Sequence, residues 1–428
     1  MDWPLGLLIL MALLLTGAPI AFAMALVGLV GVASIIGLEP ALAMFGQTWF
    51  DGARSYTLSV VPLFVLMGNL VVQSGVAQEL YDAANAWLKH RRGGLAMATV
   101  VACGGFASVC GSSLATTATM ARISLPAMRR HGYSDRLASA SVAAGGTLGI
   151  LIPPSVILVI YGILTQQDIG KLFLAGLLPG LAGVVLYMLA VRASLVLHGE
   201  TVEAEPRPPL RERLRALKGV SGALGLFVFV LGGIYLGVFT ATEAAGMGAF
   251  GAFALTAARG RLGWRETLAT LFDTARTTAV MFFVLFGALT FLNFVNLSGL
   301  TSDLRVWVGA LGAGPYAVIL MMVALYLALG CLLESLSMVI LTVPILFPIA
   351  TAAGFDPIWF GIFLVLATEL SFITPPVGMN VFVMRVVAPE VPIGRIFAGL
   401  VPFVGADLLR LLLLILLPGL ALWIPNTM

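Results

Sequence analysis

Apolar runs, several of them near the roughly 20 residues a helix needs to cross a bilayer, alternate along the chain with short polar stretches. They predict membrane segments over residues 5–16, 20–38, 59–74, 137–164, 169–197, 221–236, 241–258, 277–297, 357–387 and 396–424. Two other apolar stretches differ in kind. Residues 94–128 and 315–353 are each interrupted, by Gly111-Ser112-Ser113 in the first and Leu333-Glu334-Ser335 in the second. A segment of that length with a central break can enter the bilayer and return, so both are predicted to be re-entrant helical hairpins. The start of the chain imitates a secretory signal, with an apolar run followed by Ala21-Phe22-Ala23. The basic opening such a signal needs is missing and Asp2 is the only early charge, so a retained membrane segment is expected.

Composition removes the soluble alternative. Hydrophobic residues make up 60% of the 428 positions and charged ones only 10%, with a mean hydropathy of +1.06, whereas soluble domains run near a quarter charged. The formal net charge of +3 is dispersed over short loops and 20 of the 23 cationic residues are Arg, so nucleic acid is not an expected partner. Cys103, Cys110 and Cys331 lie in apolar runs without paired spacing, and His90, His131 and His198 lie beside basic loops. Neither set has metal-ligand spacing.

Self-comparison reveals a repeat. Pro126, Gly132-Tyr133 and Pro153-Pro154 recur without a gap as Pro348, Gly354-Phe355 and Pro375-Pro376, all displaced by 222 positions (348 − 126). Gly17, Gly28 and Gly31 match Gly237, Gly248 and Gly251, displaced by 220 (237 − 17), and the Phe64–Gly68 run matches Phe283–Gly287. Cytoplasmic loops are enriched in Lys and Arg. Lys89, Arg91 and Arg92 precede hairpin one and Arg129, Arg130 and Arg136 follow it, so it opens to the cytoplasm. Residues 306–384, which contain hairpin two, hold no Lys, Arg or His, and that hairpin is expected to open to the opposite side. The predicted fold is an all-α polytopic membrane protein: an inverted repeat of about ten to twelve transmembrane helices plus two re-entrant hairpins. The first repeat covers 1–198 (hairpin one 94–128, broken helix 137–164). A solvated cytoplasmic linker follows over 199–218, and the second repeat covers 219–428 (hairpin two 315–353, broken helix 357–387).

Breaks in membrane helices are tolerated where backbone faces protein or a watery cavity, so they point to sites. Besides the hairpin tips there are two, Gly149–Ser155 and Ser371–Gly378, each built around a double proline that removes two N–H donors and frees carbonyls of the preceding turn. Freed carbonyls can hold a cation, and Ser112, Ser113, Ser155, Ser335 and Thr374 add hydroxyls near the four breaks; sodium is a hard ion that prefers such oxygens. The half-helices that begin after each break offer free N–H groups to a carboxylate. Proline kinks alone are the plainer reading of either break, but four breaks in matched positions favour a site. Glu334 and Glu369 each cost roughly 3 kcal/mol to insert and are site candidates, unless an Arg such as Arg122 pairs with them. Asp407 and Arg410, three apart, are read as a structural ion pair. There is no GxxxxGK[ST] loop, so ATP is not expected to drive this chain. Ser112, His131 and Asp135 lack the companions of a catalytic triad, and an enzyme is not expected.

The stretches GSSLATTATMARISLPAM (111–128), HGY (131–133), GGTLGILIPPS (145–155), LFLAGLLPG (172–180) and SFITPPVGMNVFV (371–383) resemble the large membrane subunit of tripartite ATP-independent periplasmic (TRAP) transporters, the DctM-like family. The resemblance covers nearly the whole chain. It implies a sodium-driven importer of organic acids such as C4-dicarboxylates or sialic acid, multi-pass in the bacterial inner membrane and without other cofactors. It also implies an elevator in which hairpins and broken helices slide against a scaffold of the remaining helices. Two partners are implied: a small four-helix membrane subunit, here expected as a separate polypeptide, and a periplasmic binding protein. By resemblance, sodium would be held around Gly111, Ser112, Ser113, Gly149 and Pro153 in one half and around Glu334, Ser335, Thr368, Ile373, Pro375 and Gly378 in the other. Ser155, Thr374, Asn380 and Arg122 would meet substrate; Arg122 stands where the family carries a small or neutral residue. A stand-alone sodium/dicarboxylate symporter or an ion antiporter of similar architecture is the alternative transporter reading.

Overall fold

The computed structural model describes the chain except residues 201, 203, 311, 313 and 332 and the side chains of 308 and 309. Residues 201 and 203 of the expected linker, and residue 332 beside the expected tip of hairpin two, therefore lie outside the described residues. Among the described residues every element is helical. The first half runs α1 (Trp3–Leu15), α2 (Ile20–Ile36), α3 (Leu38–Arg54), α4 (Val60–Gln73), α5 (Val76–Leu88), α6 (Gly94–Cys110), α7 (Ser113–Arg130), α8 (Asp135–Thr147), α9 (Val156–Thr165) and α10 (Ile169–Leu197). The second runs α11 (Leu210–Tyr235), α12 (Ala241–Ala258), α13 (Trp264–Leu297), α14 (Leu300–Ala310), α15 (Pro315–Leu329), α16 (Ser335–Ala352), α17 (Pro357–Ser371), α18 (Met379–Val387), α19 (Ile393–Leu416) and α20 (Gly419–Leu422). Among the described residues, six helical stretches are long and apolar enough to cross a bilayer singly: Tyr56–Gln73, α10, α11, α13, α16 and α19.

Both hairpins form where the sequence breaks. Gly111 ends α6 in the left-handed region (φ 63°), where a residue without Cβ is favoured, and Ser112 caps α7 by accepting from the Ala115 N–H at 3.4 Å. In hairpin two Glu334 takes the place of Ser112, accepting from the N–H groups of Leu336 at 3.1 Å and Ser337 at 2.8 Å. The return arms α7 and α16 begin and end 222 positions apart (335 − 113 and 352 − 130).

Packing obeys the same duplication. α2 packs on α13 as α12 packs on α4, and α7 packs on α18 as α16 packs on α9, so each half's elements close against those of the other. The two interrupted helices run antiparallel. Near the end of α9, the Tyr161 hydroxyl donates to the Pro357 carbonyl at the start of α17, and at the opposite end Arg129 of α7 pairs with Glu390, just past α18. Small residues let α8 pack closely on hairpin one: a side chain on Gly145 or Gly146 would run into Cys103 of α6 or Thr117 of α7.

Several expectations on extent are corrected. The amphipathic helices α3 and α5 and the short α14 fall between the expected segments, and α13 begins at Trp264 rather than at 277. The expected solvated linker is helical from Leu210, where α11 starts, and the final segment stops at Leu416, just before Pro418, instead of running to 424. α10 and α19 pack on each other and on the broken helices α8 and α17.

Candidate functional site

The first half gathers backbone and hydroxyl oxygens at one spot. Beyond Thr147 the backbone unwinds through Gly149–Ser155, whose residues are all buried, and the tip of hairpin one lies directly against it. A Cβ on Gly149 would stand 3.2 Å from the Gly146 carbonyl oxygen, 3.2 Å from the Ser112 carbonyl oxygen and 3.2 Å from Thr116 Oγ1. Three oxygens thus converge on a space only a glycine leaves open. The hydroxyls of Ser113, Thr116 and Thr117 are buried and have no hydrogen-bond partner among the described residues. Buried polar groups are normally satisfied, and an oxygen-lined nook bordered by orphan hydroxyls has the donor set of a hard cation. Asn380 of α18 closes the same junction: its Nδ2 donates to the Ala143 carbonyl at 3.0 Å, one turn before Gly146, and its Oδ1 is buried with no partner among the described residues.

The second half is built differently. Thr368 donates to the Leu364 carbonyl at 2.9 Å, Ser371 to that of Thr368 at 2.7 Å and Thr374 to that of Leu370 at 3.0 Å, so these hydroxyls are spent on their own helix. Gly378 takes φ 61° beside the Phe372 carbonyl, which accepts the Asn380 N–H at 3.2 Å. Ile373 is buried, whereas Pro375 and Pro376 are exposed and Thr374 and Ser335 are half-buried. The Glu334 carboxylate is engaged as the cap of α16 and borders a cleft of about 270 Å³ against the α1–α2 turn. Both double prolines contain a cis peptide bond, and in the first break the Ser155 hydroxyl donates to the Ile150 carbonyl while receiving the Leu158 N–H at 3.4 Å.

Below the breaks lies a cluster of charge. Arg410 Nη2 donates to Glu369 at 2.5 Å and to Asp407 at 2.8 Å, with the Arg410 and Glu369 side chains wholly buried. Tyr187 donates to the other Asp407 oxygen at 2.6 Å and meets Thr147 Oγ1 at 3.0 Å. The cluster ties α8 and α10 of one repeat to α17 and α19 of the other, at matched positions: Thr147 to Glu369 (369 − 147 = 222) and Tyr187 to Asp407 (407 − 187 = 220).

The expected Asp407–Arg410 pair is therefore present and enlarged. The cation serving Glu369 is Arg410, not Arg122, which is a correction with a plain geometric cause. Arg122 is exposed on the outward stripe of α7 that also carries Ala115, Pro126 and Arg129, while Glu369 is enclosed by α19. Gly111, Ser112, Ser113, Gly149 and Pro153 are brought together, as are Thr368, Ile373, Thr374, Pro375, Gly378 and Asn380; Ser155 closes the first break. Sequence reading missed Thr116, Thr117 and Gly146. The available signal was two threonines one helical turn beyond Ser112 and Ser113, on the same face of α7.

The family described as "Tripartite ATP-independent periplasmic transporter, DctM component" matches residues 7–420. The C4-dicarboxylate TRAP transporter large permease of Pseudomonas aeruginosa is 35% identical over 93% of this chain and 93% of its own length. The sialic acid TRAP large permease of Vibrio cholerae is 31% identical over 97% and 96%, and the ectoine TRAP large permease of Halomonas elongata 29% identical over 97% and 97%. Among solved structures, the YdaH transporter of Alcanivorax borkumensis shares the fold, with a TM-score of 0.64 over 91% of this chain and 89% of that one at 17% identity. The chain belongs to the tripartite ATP-independent periplasmic transporters as a DctM component, a permease of the inner membrane and not an enzyme.

Proposed function

We propose that this permease imports a small organic acid, in the first instance a C4-dicarboxylate, coupled to sodium entry. The observation that carries the reading is the oxygen nook between Gly149, Gly146, Ser112 and Thr116, with its orphan hydroxyls. Sodium, close to calcium in size, suits carbonyl and hydroxyl oxygens. Bound there it would fix the tip of hairpin one to the first break, and Asn380, one turn away, would present its amide to substrate. The residues of the second half named above would form a second ion site only after their hydroxyls turn from their own helix. Three C4-dicarboxylate permeases among the relatives, 32–35% identical, support the substrate class.

The movement we propose is an elevator. Its mobile unit holds both hairpins, both broken helices, and α10 and α19, because the buried Arg410 cluster fastens the last two to the broken helices. The scaffold keeps α1 to α4 and α11 to α14. Arg122, exposed on the hairpin arm about 10 Å along the helix from Ala115 (seven residues at 1.5 Å), would draw an anion toward the tip rather than bind it there. A small four-helix membrane subunit and a periplasmic binding protein would complete the transporter. In proteoliposomes containing this chain with both partners, replacing external sodium by choline reduces uptake of the delivered acid to background; equal uptake in choline would sink the reading.

A further inference from the structure

We propose that the cytoplasmic end of α10 carries a binding site for the phosphate of an anionic bilayer lipid. A cleft of about 780 Å³ opens there, lined by the turn after α5, the last turns of α10 and, beyond α10, Gly199, Glu200, Val202 and Ala204, and Arg92 and Arg192 frame it from two different elements. That volume lies within the usual range for small-ligand sites. Among the described residues neither arginine makes an ion pair. The acid of the cleft, Glu200, gives one carboxylate oxygen to Arg136 at 2.7 Å and to Ser134 at 2.6 Å. Among the described residues of the lining, two guanidinium groups therefore stand against one carboxylate.

The lipid, rather than a free anion, follows from what adjoins the cleft. Val185, Leu189 and Val196 are 57%, 53% and 82% exposed, at spacings that place them on one face of α10. On a helix apolar enough to cross a bilayer, such a stripe faces acyl chains. Arg192, seven residues past Val185 and four before Val196, lies on that stripe and is also exposed. A long basic side chain so placed reaches along the helix to the headgroup level, and a guanidinium holds phosphate through paired hydrogen bonds. The chain tails would lie along the aliphatic stripe while Arg92 closes on the phosphate from the opposite wall. The surrounding field has the right sign: local desolvation, and then the charges of Arg207, Arg91 and Arg213, hold the His90 imidazole below its ordinary pKa in the turn that carries Arg92. The cytoplasmic leaflet is where anionic lipids meet such basic clusters.

Native mass spectrometry of the purified chain in detergent, titrated with phosphatidylglycerol, tests this. The expected result is one retained lipid per chain, with the apparent affinity about fivefold weaker for Arg92→Gln or Arg192→Gln and weaker still for both. Arg305→Gln, outside the cleft and not among the charges that act on His90, should bind as the parent does, and the Arg92→Lys, Arg192→Lys pair should bind more tightly than the glutamine pair. Equal retention of phosphatidylcholine, unchanged binding in the glutamine pair, or displacement of the lipid by inorganic phosphate would each overturn the proposal. So would equal loss in the lysine and glutamine pairs, because it would mark a change of structure rather than of charge.

Discussion

Arg410 of α19 and Glu369 of α17 are joined 2.5 Å apart with neither side chain reaching the surface, and the same guanidinium nitrogen holds Asp407 at 2.8 Å. Removing one partner of a buried ion pair strands the others, at about 3–5 kcal/mol. Arg410→Leu is therefore expected to lower stability by that order in chemical denaturation of the purified chain. Adding Glu369→Gln and Asp407→Asn to Arg410→Leu should recover most of it, since replacing a whole buried ionic group is often neutral. A triple variant no better than the single one would show that the cluster matters through something other than stranded charge.

Gly183 reports on the same cluster from α10. A Cβ there would run into the Arg410 guanidinium, which is held by two carboxylates and has little room to yield. Gly183→Ala should destabilise by about 1–3 kcal/mol, as overpacking of cores does. Gly232, whose Cβ would meet nothing, serves as the control, and its alanine variant should match or exceed the parent in thermal unfolding.

The tip of hairpin two depends on its cap. Glu334 satisfies two N–H groups at the start of α16, so Glu334→Ala should cost about 0.5–2 kcal/mol, while Glu334→Gln keeps an acceptor and loses less. Hydrogen exchange of the amides of Leu336 and Ser337 checks this locally, with faster exchange in the alanine variant. Unchanged exchange would mean the cap is not formed in the membrane.

Opposite insertion of the repeats is tested by sidedness. With Cys110 and Cys331 changed to Ser, a cysteine at Arg92 should react with an impermeant thiol reagent only from the cytoplasmic side, and one at Ala352 only from the periplasmic side. Labelling of both from a single side would remove the inverted arrangement.

Much of this architecture was legible because glycine and proline punctuate it. The hairpin tips and both double-proline breaks fall where Gly111-Ser112-Ser113, Glu334, Pro153-Pro154 and Pro375-Pro376 predict, since no helix continues through such residues without losing hydrogen bonds. The amphipathic α3 and α5 escaped because a search for continuous apolar runs passes over helices with a polar face. The partner of Glu369 escaped for another reason. It lies 41 positions away on a different helix, and no local spacing encodes a pairing made only when α17 packs on α19. The orphan hydroxyls of Thr116 and Thr117 were visible as residue types, yet a mid-helix threonine usually satisfies itself on the preceding turn, as Thr368 does. Only the packing of α7 against α8 shows that these two do not.

The claim on which the transport account rests is that sodium occupies the nook beside Gly149. Its most direct measurement is the thermal unfolding midpoint of the purified chain as sodium replaces choline at constant ionic strength, in the parent and in Thr116→Val and Gly149→Ala. A ligand that binds only the folded state adds about 2.7 kcal/mol at a hundred times its dissociation constant. The account predicts a midpoint that climbs with sodium in the parent and stays nearly flat in both variants. A parent that ignores sodium, or variants that climb as steeply as the parent, would contradict it.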